Sequence, residues 1–232
     1  MIVTRPFRGR WVAVVMLLLA AGPSARAGLM TFTASPFTGS PAGATVTFDD
    51  GISPGSVRVT VTVDPSPSVG DINGFFLNVG TESLLPGLSV TGSDVTLLVK
   101  SANAVTSAGP GNNVNGGGVG PFDVGVRIGS PGIGKDDIQS TSFVLSHEGV
   151  VLTNDLFAGA TTEDGDVFAL RLTSVGPEGS SRNGSSKLTN DVPPPTPNEE
   201  PPTQTPEPST LLGLGTLGAL GLLARRLRAT RV

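Results

Sequence analysis

An all-β domain is what this 232-residue sequence predicts. Val57, Val59, Val61 and Val63 alternate strictly with Arg58, Thr60 and Thr62, the period-two pattern of a strand with one buried face. The alternation returns in Phe122, Val124, Val126 and Ile128 against Asp123, Gly125 and Arg127, and again in Phe168, Leu170 and Leu172 against Ala169 and Arg171. No 3.6-residue apolar period is sustained outside the two ends of the chain.

The remaining strands follow in order at 44–48, 72–79, 88–91, 95–100 and 140–146. Turn signals separate them: Asp50-Gly51, Asp64-Pro65, Pro86-Gly87 and Glu163-Asp164-Gly165 fall where connections are needed. Many short strands punctuated by glycine and proline favour a single β-sandwich or jelly-roll-like domain over residues 28–175. Its edge can extend to about 190. The alternative is a Gly-rich parallel β-solenoid, which the lack of a fixed internal repeat disfavours. Residues 176–205, first Gly/Ser-rich and then Pro-rich, read as a linker. Eight prolines between Asp191 and Pro208 cannot build a core, and a polyproline-like stalk of that length reaches on the order of 50 Å.

Both ends carry the marks of sorting. Arg5, Arg8 and Arg10 precede an apolar stretch over 11–21, and Ala25-Arg26-Ala27 supplies small residues in the A-x-A pattern. Residues 1–27 therefore read as a signal peptide, cut by signal peptidase between Ala27 and Gly28, with an uncleaved anchor as the alternative. At the other end Pro206-Glu207-Pro208 leads into an apolar run over 211–224 and then Arg225, Arg226 and Arg228. As a helix that run would be roughly 21 Å long, short of the ~30 Å hydrocarbon core. Flanking residues and snorkelling arginines bring it to a marginal span of the inner membrane, with the basic tail 225–232 on the cytoplasmic side.

This C-terminal order of Pro-Glu-Pro, short apolar helix and arginine cluster over 206–232 resembles the PEP-CTERM sorting signal of exported bacterial proteins. The resemblance implies recognition by an exosortase, transient anchoring in the inner membrane and delivery to the cell surface or extracellular matrix. It also implies a bacterium that makes exopolysaccharide, which becomes a candidate partner. A plain, uncut anchor is the alternative. The stretches 70–76, 120–126, 136–141 and 184–188 look like blocks of uncharacterised exported all-β modules, and no activity comes with that likeness.

Between Gly28 and Pro206 the chain has seven basic and 18 acidic residues, a formal charge of −11. That surface excludes nucleic acid as a partner and suits divalent cations. With no cysteine, stability must come from the core or from bound ions. The chain has no tyrosine, and its one tryptophan, Trp11, lies in the signal peptide, so the aromatic platforms of a sugar-binding module are poor.

Two enzyme-like motifs fail on mechanics. Gly51-Ile52-Ser53-Pro54-Gly55 has the letters of a nucleophile elbow, but Pro54 has no N–H to offer an oxyanion. Gly129 to Lys135 approaches a phosphate-binding loop, but Asp136 stands where Ser or Thr would ligate Mg²⁺. His147 is the single histidine, so paired-His zinc sites are excluded; a Ser-His-Asp triad stays open on paper, and a polar residue ending the strand of Phe143 and Leu145 is the plainer account. Asp49, Asp50, Asp71, Asn73, Asp136, Asp137, Glu163, Asp164 and Asp166 put hard oxygens on turns. They are candidates for a structural calcium ion, with solvated loop carboxylates as the plainer account. No other cofactor is expected. The expectation is thus a non-catalytic surface or matrix protein, with a polysaccharide-binding module as the alternative and a secreted hydrolase behind it.

Overall fold

The computed structural model describes residues 28–190 other than 131, 133 and 164. Residues 1–27 and 191–232 lie outside the described residues, and so do the expectations of a signal peptide, a proline-rich linker and a 211–224 helix placed on them. Among the described residues no helix is long and apolar enough to cross a membrane.

Ten strands make the domain: β1 (Leu29–Gly39), β2 (Ala44–Asp49), β3 (Ser56–Val63), β4 (Val69–Leu77), β5 (Leu88–Thr91), β6 (Val95–Val105), β7 (Phe122–Ile128), β8 (Ser140–His147), β9 (Phe168–Gly176) and β10 (Gly184–Asn190). One 3₁₀ turn (Glu82–Leu84) and one helical turn, α1 (Asp155–Ala158), complete it. The all-β expectation holds. The strands form one sheet in the order β5-β8-β3-β2-β1-β10-β9-β4-β7-β6, and every neighbouring pair is antiparallel, which removes the parallel solenoid.

The two layers of a sandwich are here the two halves of this one sheet, folded over a common core. β1 makes the corner. Its residues Leu29 to Ala34 pair with β2 and Ala34 to Gly39 pair with β10, with a register shift between Pro36 and Thr38, so one strand serves both halves. The far edges approach each other. Lys100 on β6 donates from Nζ to the carbonyls of Pro86 and Leu88 at 3.0 and 2.7 Å, beside β5. Thr141 on β8 donates to Asp94, just before β6, at 2.7 Å. The sheet is nearly closed, which leaves little free edge for pairing with other chains.

Alternation fills the interior as the periodicity predicts. Val57, Val59, Val61 and Val63 face Val124, Val126, Ile128, Leu170 and Leu172 in one continuous cluster. Phe75 on β4 ties the halves together. Its ring centroid lies 5.4 Å from Phe143 of β8, 5.6 Å from Phe168 of β9 and 6.3 Å from Phe48 of β2.

β4 is buried on both faces, because residues 106–121 fold back over its outer side. Phe76, Val105, Ala108, Val114, Phe122 and Ala169 form a second apolar cluster there. Asn112, wholly buried, donates from Nδ2 to the Asn73 carbonyl at 2.8 Å. A glycine is required below it: a Cβ on Gly74 would stand 2.1 Å from Asn112 Oδ1. Residues 184–190, which composition puts in the linker or at the outer limit of the domain, form β10 in the interior of the sheet, and Pro177 to Asn183 connect it to β9.

Candidate functional site

The carboxylates proposed for calcium are held by the protein's own donors, at separate places. Asp49 accepts the Gly51 N–H at 2.8 Å, which shapes the β2–β3 turn. Asp50 accepts from Gly28 and Asn154. Asp166 accepts the Thr189 hydroxyl at 2.6 Å and the Thr162 hydroxyl at 3.3 Å. Glu163 is exposed, and Asp164 lies outside the described residues.

The densest acidic group surrounds the 129–139 loop. Asp71 is 2 % exposed, and its carboxylate accepts the Ile138 N–H at 3.0 Å and the Thr173 hydroxyl at 3.3 Å. Burial, with the nearby charges of Asp136 and Asp137, pushes its pKa from 3.8 up to about 6. Asp136 is turned into its own loop to accept the Ser130 N–H. Asp137 pairs with Arg182 at 2.6 Å. Asn73 offers only a 3.5 Å contact from its amide to the Ser130 carbonyl. No group of three or more Asp, Glu, His or Cys among the described residues is placed to hold a metal ion.

The enzyme-like motifs resolve into turns. The Ser53 carbonyl accepts both the N–H and the hydroxyl of Ser56 at 3.1 Å, and Gly55 takes a φ of +82°. In the Gly129 loop the Asp136 carboxylate occupies the backbone donor that a phosphate would need. His147 ends β8, and its Nδ1 accepts the Gly149 N–H at 3.0 Å. A triad requires the reverse, with Nδ1–H donating to a carboxylate and Nε2 accepting from the nucleophile.

Two features were invisible in the sequence. The first is a cross-strand row of cations on the outer face of the sheet. Arg127 and Arg171 flank Gly74 on either side, and Lys187 stands opposite Arg171. Three of the body's seven basic residues thus share one line beneath the 106–121 segment. A Cβ on Gly109 would lie 1.8 Å from an Arg127 guanidinium nitrogen. Arg127 Nε and Nη2 and Arg171 Nε are buried without a hydrogen-bond partner among the described residues. Burial lowers the Arg171 pKa, and burial with the Arg171 charge lowers that of Lys187, whose ammonium donates to the Asn115 carbonyl.

The second feature is an open, mainly apolar cleft of about 650 Å³ beside Gly28, lined by Met30, Asp50, Pro54, Val151 and Asn154 among others. Exposed Leu29, Ile52, Val150 and Val151 belong to the same end of the domain. Only pairing across distant segments makes either feature, so neither leaves a local signature.

No curated protein and no solved structure matches the chain. One family model does, at residues 204–229, and it is described as the PEP-CTERM protein-sorting motif. The match contains Pro206, Glu207, Pro208, Arg225, Arg226 and Arg228. The chain carries the PEP-CTERM sorting signal, the mark of a protein that exosortase processes and sorts to the cell surface.

Proposed function

We propose that this is a non-catalytic cell-surface or extracellular-matrix protein. In this reading a signal peptide takes it across the inner membrane, the tail holds it there for a time, and exosortase releases the β domain on its proline-rich stalk. The sorting motif at 204–229 is the observation that carries the proposal. It is supported by the hydrogen bonding of His147, whose Nδ1 accepts from Gly149, and by the turn geometry at Ser53, neither of which has the arrangement of a catalytic triad or a nucleophile elbow.

The deciding experiment for sorting is Glu207→Ala in the producing bacterium. The wild-type chain should lose its C-terminal peptide and leave the membrane fraction, while the variant should stay longer by that peptide and membrane-bound. Identical fractionation of both, with the peptide retained in each, would reduce the tail to a plain anchor.

A further inference from the structure

We propose that Asp50 and Asn154 form a receptor for the chain's own α-ammonium group, the one freed on Gly28 when the signal peptide is removed. The proposal rests on cleavage between Ala27 and Gly28.

Residue 28 is gripped at both of its polar groups. Its N–H donates to Asp50 Oδ1 at 2.6 Å, and its carbonyl accepts from Asn154 Nδ2 at 2.6 Å and from the Asp50 N–H at 3.3 Å. The two holders are themselves joined. Asp50 Oδ2 accepts the Asn154 N–H at 3.0 Å, and Asn154 Nδ2 also donates to the Phe48 carbonyl at 3.2 Å. The clasp therefore links the start of β1, the β2–β3 turn and the approach to α1, segments far apart in the chain.

Hydrolysis places the oxygen of water on the Ala27 carboxylate and leaves a protonated amine on Gly28. A neutral amide with one N–H becomes a cation with three. The site already holds what that change needs, a carboxylate in contact with the nitrogen, and the neighbouring Asn154 Oδ1 is a buried acceptor with no hydrogen-bond partner among the described residues. The charged residues lining the cleft are Asp50 and Asp155, and no lysine or arginine is among them. Neighbouring Asp49 turns its carboxylate to Gly51. Among the charged groups lining the cleft the new cation thus meets only acids, Arg58 standing opposite Asp49 on β3 but outside the lining, and its hydrogen bond to Asp50 becomes charge-assisted, roughly twice as strong as a neutral one.

The test uses the full chain, exported and processed by a secreting bacterial host. Intact mass and N-terminal sequencing first locate the mature end. Competitive acetylation of the α-amine across pH, read on the N-terminal peptide by mass spectrometry, then gives its titration midpoint. The native wild-type midpoint should lie at a pH at least about 1 above the ordinary α-amine range of roughly 7.7 to 8.0. It should fall back in Asp50→Asn and stay raised in Asp155→Asn. If Asp50→Asn is not exported, the wild-type protein in urea serves instead, and its midpoint should drop on unfolding. A Gly28 terminus with an ordinary midpoint in the native protein overturns the receptor while cleavage stands. A mature end elsewhere overturns the cleavage reading and the receptor with it.

Discussion

Asp71→Asn should make the protein more stable at neutral pH, although it removes a hydrogen-bonded carboxylate. The Asp71 carboxyl is 2 % exposed on β4, and burial together with Asp136 and Asp137 lifts its pKa from 3.8 to about 6. Between these two values the folded protein binds a proton that the unfolded chain does not. Stability therefore falls as pH rises through that window, and the loss is complete above the folded value. At 1.36 kcal/mol per pH unit, a difference of roughly two units sets a ceiling of about 3 kcal/mol. Asparagine keeps the volume, stays neutral and can still accept the Ile138 N–H. The variant should exceed wild type by about 1–3 kcal/mol at pH 7.5 and lose its advantage near pH 4. For a domain of this size that is a rise in Tm on the order of 3–10 °C. Thermal scans of both proteins from pH 4 to 7.5 provide the assay, since the difference between them isolates Asp71 from other titrating acids. A gap favouring wild type, and widening as pH rises, would mean the ionised carboxylate is preferred and would refute the reasoning.

Phe75→Ala should cost about 3–5 kcal/mol in urea melts, because it empties the ring contacts that join the two halves of the sheet. Gly74→Ala should cost about 1–3 kcal/mol, with increased hydrogen exchange concentrated in 106–121, since its methyl takes the place of the Asn112 amide. Uniform protection loss across the sheet would argue against that local mechanism. Millimolar Ca²⁺ and Mg²⁺ at equal ionic strength should give the same Tm, because Asp49, Asp50, Asp71, Asp136, Asp137 and Asp166 are engaged by backbone, hydroxyl and guanidinium donors. A selective rise under Ca²⁺ would restore a structural site.

The inward faces of β3, β7 and β9 are readable because Val57 to Val63, Val124 to Ile128 and Phe168 to Leu172 put an apolar side chain at every second position, whereas Phe122, which the same alternation puts inward, lies in the outer cluster with Phe76. β1 and β10 escaped for a common reason. Pro36 interrupts one, and Leu188 is the only large apolar side chain in the other, so neither carries a periodic signal, yet both are fixed by ladders to strands far away in sequence. The same holds for the clasp on Gly28 and for the cation row. Asp50 looked like a turn acid and Arg171 like an outward strand residue. Only the pairing of distant strands gives each its neighbours. Asp123 was read as an outward residue of β7, but it is buried and accepts the N–H groups of Val79 and Asn103 at 2.9 and 2.7 Å. A short polar side chain cannot announce that in sequence.

The last strand of the domain is not at an edge of the sheet but sixth in its order, between β1 and β9, with Asn190 opposite Ala34. For a chain that crosses a membrane beginning with its N-terminus, this ordering acts as a timer. While residues before 184 emerge, β1 and β9 each lack their shared neighbour, and the two halves of the sheet have no seam along which to close. Contacts between the first strand and the last are the most distant in sequence that the domain contains, and such contacts form late. Completion of the seam between the two halves therefore waits for residues 184–190.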